Sequence, residues 1–136
     1  MVIFLNILLF FSLIFCQSID VSVDKNKIFF GESIQLKITV KNGSDFDANL
    51  SNLNDFQILS GPNSSSQMSW INGKMSSENS QSWSLLPTKK GELYIPSFKI
   101  NLGNNKNYQS KRIQITVLDE SQRNSNNKVK REYFIE

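Results

Sequence analysis

Hydrophobic and polar side chains alternate along much of the chain, with the period of a β-strand that buries one face. In residues 33–41 the apolar positions are Ile34, Leu36, Ile38 and Val40, and the positions between them are polar. Residues 19–23, 97–102 and 112–118 show the same alternation. Strands that bury one face and expose the other are typical of antiparallel sheets.

Segments rich in Gly, Asn, Asp and Lys separate these strands and predict turns. They occupy residues 24–27, 29–33, 41–45, 60–65, 88–92 and 102–107. Seven or eight short strands in about 100 residues predict an all-β domain, an immunoglobulin-like antiparallel β-sandwich. A small β-barrel is the alternative architecture.

The pair Asn72-Gly73 predicts a two-residue hairpin turn, because both central positions of a type I′ turn need positive φ. This turn would pair Ile71 with Lys74 and Trp70 with Met75. Continued alternation places five large side chains on one face of the hairpin: Met68, Trp70, Met75, Trp83 and Leu85. We expect this face to belong to the core.

For Trp70, which lies close to the turn, the alternative is partial exposure as an anchor for a protein partner, since aromatic residues are enriched at binding hot spots. The tip of this hairpin is therefore also the candidate contact region. The candidate contact residues are Trp70, Ile71, Asn72, Gly73 and Lys74. The loop at residues 41–55 is a second candidate contact region.

A change of register is predicted at Pro96. The apolar residues before it, Leu93 and Ile95, are at odd-numbered positions. Those after it are at even-numbered positions: Phe98, Ile100 and Leu102. Because proline has no N–H to donate to a ladder, it belongs at a strand end, an edge or a bulge. We expect the chain to bend at Pro96 and to cross between sheets.

The first 16 residues are almost wholly apolar and carry no charged side chain. The run is shorter than the roughly 20 residues of a membrane-spanning helix, so it predicts a secretory signal peptide over residues 1–18. Acylation of Cys16 as in a lipoprotein is the alternative. Export would place the remaining domain, residues 19–118, outside the cytoplasm.

The composition removes several catalytic chemistries. The chain has no histidine, and its one cysteine lies in the predicted signal peptide. The usual base of serine and cysteine hydrolases and the commonest zinc ligands are therefore absent. We expect a protein that is not an enzyme and that needs no cofactor or metal.

The net charge of +3 gives no evidence of nucleic-acid binding. The basic residues are scattered through residues 19–118, whereas a nucleic-acid site would cluster them with stacking aromatic side chains. Scattered lysines on strands are typical of a solvated face and of edge protection.

Three other functions would each depend on a particular set of residues. A secreted adhesin or carbohydrate-binding module would use Trp70, Tyr94 or Tyr108 as a stacking platform, and it would need these rings exposed. A carboxylate-based hydrolase would need Glu78 and Glu92 to converge. A calcium site would use the aspartates at positions 45, 47 and 55, for which turn chemistry is the simpler role.

The periodicity ends after Leu118. Residues 119–131 are polar and predict a linker, and residues 132–136, "EYFIE", resemble the start of a second β domain that is cut short.

The order of these segments resembles the N-terminal domain of the BatD family, bacterial proteins linked to oxygen tolerance. The resemblance rests on "NDFQILSGPNSSSQMSWINGK", which leads into the Asn72-Gly73 hairpin, and on "SWSLLPTKKGELYIPSFKIN", and it covers residues 19–118. The resemblance implies no catalytic residue in these segments.

The resemblance implies a periplasmic scaffold or adaptor of tandem immunoglobulin-like domains, anchored to the inner membrane by a helix beyond this sequence. It also implies protein partners, namely membrane proteins with von Willebrand factor A domains that are encoded beside a MoxR-type AAA+ ATPase. The implied role is in aerotolerance and envelope stress.

Overall fold

The computed structural model describes residues 18–43 and 45–123. Within them, helix is limited to one turn at residues 120–123, where the predicted linker begins. The predicted signal peptide up to residue 17, the linker from residue 124 and the segment 132–136 lie outside the described residues. The all-β class is confirmed, and the described strands are β1 (Ser18–Val23), β2 (Lys27–Phe29), β3 (Ile34–Lys41), β4 (Asp47–Ala48), β5 (Phe56–Ile71), β6 (Lys74–Pro87), β7 (Gly91–Ile95), β8 (Lys99–Asn101), β9 (Asn107–Gln109) and β10 (Ile113–Leu118).

The described strands form three sheets. A four-stranded sheet has the order β1-β3-β6-β5, and two three-stranded sheets have the orders β2-β10-β7 and β4-β8-β9. Neighbouring strands are antiparallel in every pair except β2 and β10, which run parallel. The predicted antiparallel character therefore holds for nearly all of the pairing.

The inward-facing side chains of the three sheets pack into one hydrophobic core. The alternation in β3 is realised as predicted, since Ile34, Leu36, Ile38 and Val40 are fully buried. The remaining buried hydrophobic residues are Ile28, Phe46, Phe56, Trp83, Leu85, Leu93, Ile95, Phe98, Ile100, Ile115 and Val117.

The predicted corner at Pro96 is confirmed. β7 ends at Ile95 in one sheet, and β8 begins at Lys99 in another. Between them, the Phe98 N–H donates to Ser110 Oγ at 2.9 Å, and the Ser110 N–H donates to the Phe98 carbonyl at 2.9 Å. The register slip in the sequence thus marks the point where the chain changes sheets.

The Asn72-Gly73 hairpin is also confirmed. Asn72 and Gly73 have φ of 54° and 77°, as a type I′ turn requires. Ile71 pairs with Lys74, Trp70 with Met75, and Met68 with Ser77.

The start of β5 is irregular, because register shifts occur between Ile58 and Ser60 and between Ser60 and Asn63. Gly61 lies in this irregular stretch with φ of 118° and precedes a cis peptide bond to Pro62. A β-carbon at position 61 would lie 2.8 Å from Cδ1 of Trp83 and 2.7 Å from the Ser82 carbonyl oxygen. Only glycine allows the β5 backbone to pack this closely on the core tryptophan.

Candidate interaction surface

The β5–β6 hairpin extends beyond the strand beside it. β3 pairs with β6 only from Ile34 opposite Leu85 to Lys41 opposite Glu78. Past that point, residues 68–77 continue as a two-stranded ribbon, with β5 and β6 paired to each other up to the turn. We call residues 68–77 the ribbon.

Asn42 ends the contact between β3 and the hairpin. Its φ of 56° turns the chain away from β6 directly after Lys41. Its backbone N–H donates to the Ser77 carbonyl at 2.8 Å, and its Oδ1 accepts from the Ser77 N–H at 3.4 Å. Asparagine suits this position because it tolerates left-handed φ and its side chain bonds backbone groups nearby.

The ribbon carries most of the strongly exposed large apolar side chains of the described residues. Trp70 is 71% exposed, Met68 68% and Ile71 66%, and Met75 is 53% exposed. The prediction that Met68, Trp70 and Met75 are core residues is therefore wrong, whereas Trp83 and Leu85 on the same face are buried as predicted. The face to which each side chain points was predicted correctly, but among residues 18–43 and 45–123 no second layer covers the ribbon end of that face.

Apolar side chains occupy both faces at the tip. Trp70 and Met75 form one cross-strand pair, and Ile71 and Lys74 form the next pair, which faces the opposite side. The five predicted contact residues, Trp70 to Lys74, are all exposed at this tip.

Polar contacts hold the base of the ribbon. Asn79 Nδ2 donates to the Gly43 carbonyl at 3.0 Å, and Gln81 Nε2 donates to the Phe46 carbonyl at 3.0 Å. Across the hairpin, Ser66 Oγ donates to Asn79 Oδ1 at 2.6 Å. The loop at residues 41–55 thus meets the hairpin at its base, whereas the contact residues predicted at 70–74 lie at its tip.

An open cleft of about 400 Å³ lies where β3 leaves the hairpin. Lys41 and Asn42 form one side, and Met68 and residues 76–78 contribute to the other. The exposed ribbon face therefore continues into a concave surface beside the loop.

β5 is an edge strand of its sheet, which the pattern of the sequence did not predict. β5 is 16 residues long, and all of it except Phe56 is exposed. The strand contains no Asp, Glu, Lys or Arg, and this uncharged run was the available signal.

The carboxylates of the described residues are spread over separate interactions. Asp55 forms an ion pair with Lys89 at 2.9 Å, and Glu92 accepts from Thr116 Oγ1 at 3.1 Å. Glu78 lies in a different sheet from Glu92. In the described part of the chain, no group of three or more potential metal ligands occurs.

Near the end of the domain, the pKa of the Asp119 carboxyl group is lowered. Lys90 Nζ lies 3.0 Å from Asp119 Oδ2, and this hydrogen bond lowers the pKa of the Asp119 carboxyl below its ordinary value of 3.8. The contact joins the start of β7 to the segment after β10.

Over residues 18–43 and 45–123, no helix is long and apolar enough to cross a membrane.

Together, these features define an all-β domain whose exposed apolar side chains are concentrated on one projecting hairpin. Residues 21–117 match the family model described as the BatD DUF11 like domain. Because this range is more than half of the chain, the chain belongs to the BatD family, as the resemblance in the sequence predicted. No curated protein and no solved structure is significantly similar to it.

Proposed function

We propose that this domain is a non-enzymatic adaptor at the periplasmic face of the bacterial inner membrane, in a complex linked to oxygen tolerance and envelope stress. Its partners would be the membrane proteins with von Willebrand factor A domains that are encoded with a MoxR-type ATPase. We also propose that its sheets pack as an immunoglobulin-like sandwich, that an N-terminal signal peptide exports the protein, and that the full-length protein is anchored in the membrane. Membership of the BatD family supports the biological setting.

The ribbon is the observation that carries the adaptor role. Trp70 and Ile71 are 71% and 66% exposed on a hairpin whose base is hydrogen-bonded to the loop at residues 41–55. Large aromatic anchors on a preorganised element contribute most of the energy in many protein interfaces. Because apolar side chains lie on both faces of the tip, a concave partner surface that surrounds the tip would bury more of them than a flat one.

The test is site-specific photo-crosslinking in cells, using the full-length protein expressed with its von Willebrand factor A partners. A crosslinking side chain at Ile71 should give an adduct with one of these membrane proteins. The matched control is the same side chain at Lys111, an exposed residue just before β10, in a different sheet from the ribbon. Adducts of equal yield from both positions, or none from Ile71, would contradict the proposal.

The exposure of Trp70 also favours a second candidate, a carbohydrate-binding module. Tyr94 is covered by Arg112, whose guanidinium carbon lies 4.1 Å from the ring centroid. Trp70, Tyr94 and Tyr108 belong to three different sheets, which opposes a shared stacking platform.

Trp70 fluorescence separates the two candidates. In a Trp83→Phe variant Trp70 is the sole tryptophan, and titration with N-acetylglucosamine oligosaccharides should leave its emission unchanged if the domain is an adaptor. A saturable blue shift would favour the carbohydrate-binding module instead.

A further inference from the structure

We propose that the outer edge of β5 at residues 63–71 binds an extended strand of a partner protein by β-strand addition. The partner strand would carry apolar side chains opposite Met68 and Trp70. The inference rests on the proposed function, and it specifies which kind of partner segment the adaptor binds.

The backbone of β5 is available on this side. β5 ends the order β1-β3-β6-β5, so among the described strands it pairs with β6 alone. In a two-residue hairpin, the residues that flank the turn, here Ile71 and Lys74, form a hydrogen-bonded pair. Because bonded and non-bonded pairs alternate, the N–H and C=O groups of even-numbered residues point away from β6. These residues are Ser64, Ser66, Met68 and Trp70.

The edge lacks the usual protection against strand addition. Natural sheets place charged side chains or proline on exposed edges. β1 carries Asp20, β2 carries Lys27 and β7 carries Glu92, whereas β5 carries no charged residue. Its proline, Pro62, lies in the irregular stretch before Asn63. The regularly paired part of β5, residues 63–71, therefore has neither a charged side chain nor a proline to block an added strand.

The side chains along the edge specify the occupant. Toward the tip, Met68 and Trp70 lie on one face and are 68% and 71% exposed, while Gln67 and Ser69 lie on the other face. An antiparallel strand places its residues directly opposite these positions, so alternating apolar and polar residues would match the two faces. Because residues 63–71 carry no charge, they offer a charged partner side chain no opposite charge, so an uncharged partner segment is favoured.

A second copy of this chain complements the edge poorly. Antiparallel self-pairing over all of residues 63–71 would place Trp70 opposite Ser64 and Met68 opposite Ser66. The register that sets Trp70 opposite Met68 overlaps only at residues 67–71. The geometry therefore favours a strand from a different protein.

The experiment compares Ser66→Pro with Ser66→Ala in the full-length protein. Proline removes an N–H that points outward, so the β5–β6 ladder is retained. Alanine removes the same hydroxyl contact with Asn79 and keeps the N–H. The probe is a synthetic peptide of alternating valine and threonine with a polyethylene glycol tail, long enough to cover residues 63–71. A version N-methylated on alternate residues, which lacks the pairing donors, is the control peptide.

The expected result is saturable binding that slows hydrogen exchange at the outward amides of Ser64, Ser66, Met68 and Trp70. We expect a slowing of about tenfold or more, since amides that gain a ladder partner exchange only on local opening. Ser66→Ala should bind the peptide like the natural protein. Ser66→Pro and the N-methylated peptide should abolish the protection, with unfolding of the variant excluded by its circular dichroism spectrum.

Protection that survives in Ser66→Pro, that falls on β1 instead, or that does not occur would overturn strand addition. Self-association abolished by Ser66→Pro would make the occupant a second copy and would also overturn the proposal. The Ile71 crosslink tests the adaptor role separately. If the crosslink forms but the peptide does not protect β5, strand addition alone is wrong.

Discussion

The two tryptophans lie on one face of the same hairpin, yet their environments are opposite. Trp83 is 4% exposed in the core, and Trp70 is 71% exposed on the ribbon. Alternation along the strands placed both on the core-facing side, and that prediction held only where another layer covers the face.

Because of these environments, replacing each tryptophan by alanine should change the free energy of unfolding by different amounts. Trp83→Ala should lower the free energy of unfolding by about 3–5 kcal/mol, because it truncates a large buried side chain. Trp70→Ala should change it by less than about 0.5 kcal/mol, as is usual for an exposed position. Urea unfolding measures both values. A Trp83→Ala protein that melts within a degree or two of the natural one would contradict the face assignment.

Gly61 packs against Trp83 from the neighbouring strand, and Gly61→Ala should lower the free energy of unfolding. An added methyl group would clash with Trp83 and the Ser82 carbonyl at 2.7–2.9 Å. Overpacking of this kind costs about 1–3 kcal/mol, beyond the penalty of positive φ.

Gly73→Ala is the matched control for Gly61→Ala. Its φ is also positive, at 77°, and a β-carbon there meets nothing within 4 Å. Gly73→Ala should therefore show only the conformational cost, on the order of 1–2 kcal/mol. Equal losses of unfolding free energy in the two variants would show that contact with Trp83 is unimportant.

At the scale of the element, the hairpin has a structural half and an exposed half. The half near the core pairs with β3 and contains Trp83 and Leu85. The two strands of the ribbon pair with each other, and Ser77 at its base also bonds Asn42. The turn and the cross-strand partners were predicted from Asn72-Gly73 because type I′ geometry sets the register. The point where β3 ends was not predictable from the hairpin, since it depends on a different segment of the chain.

Shortening the ribbon should leave the fold intact. Deletion of Trp70 and Ile71 together with Lys74 and Met75 keeps the Asn72-Gly73 turn and makes Ser69 and Ser76, which already pair, the flanking residues. Parity is preserved, and little buried surface is lost, so the melting temperature should change little. The same variant should lose the proposed contacts with membrane proteins that carry von Willebrand factor A domains. A large drop in melting temperature would mean that the ribbon supports the core.

At the scale of the whole molecule, three sheets share one core, and the chain changes sheets between β7 and β8 at the corner that Pro96 marks. The parity change between Ile95 and Phe98 was a sufficient local signal for this crossing. The parallel pairing of β2 with β10 had no such signal, because it joins segments at opposite ends of the domain.

The sequence by itself determined the alternating strands around β1, β3 and β10, the Asn72-Gly73 turn, and the shared face of Trp70 and Trp83, because alternation and the φ demands of Asn72-Gly73 are local. The turn predicted at residues 60–65 is wrong, since β5 runs through this segment from Phe56 to Ile71 and accommodates Gly61 and Pro62 as an irregularity of register. The sequence also determined membership of the family. Only the tertiary structure decided which stretch of each face is covered. Burial depends on how far the adjacent strand extends, and β3 ends at Lys41 while β5 and β6 continue. The exposed ribbon and the free edge of β5 both follow from that difference in length and from the order of the strands.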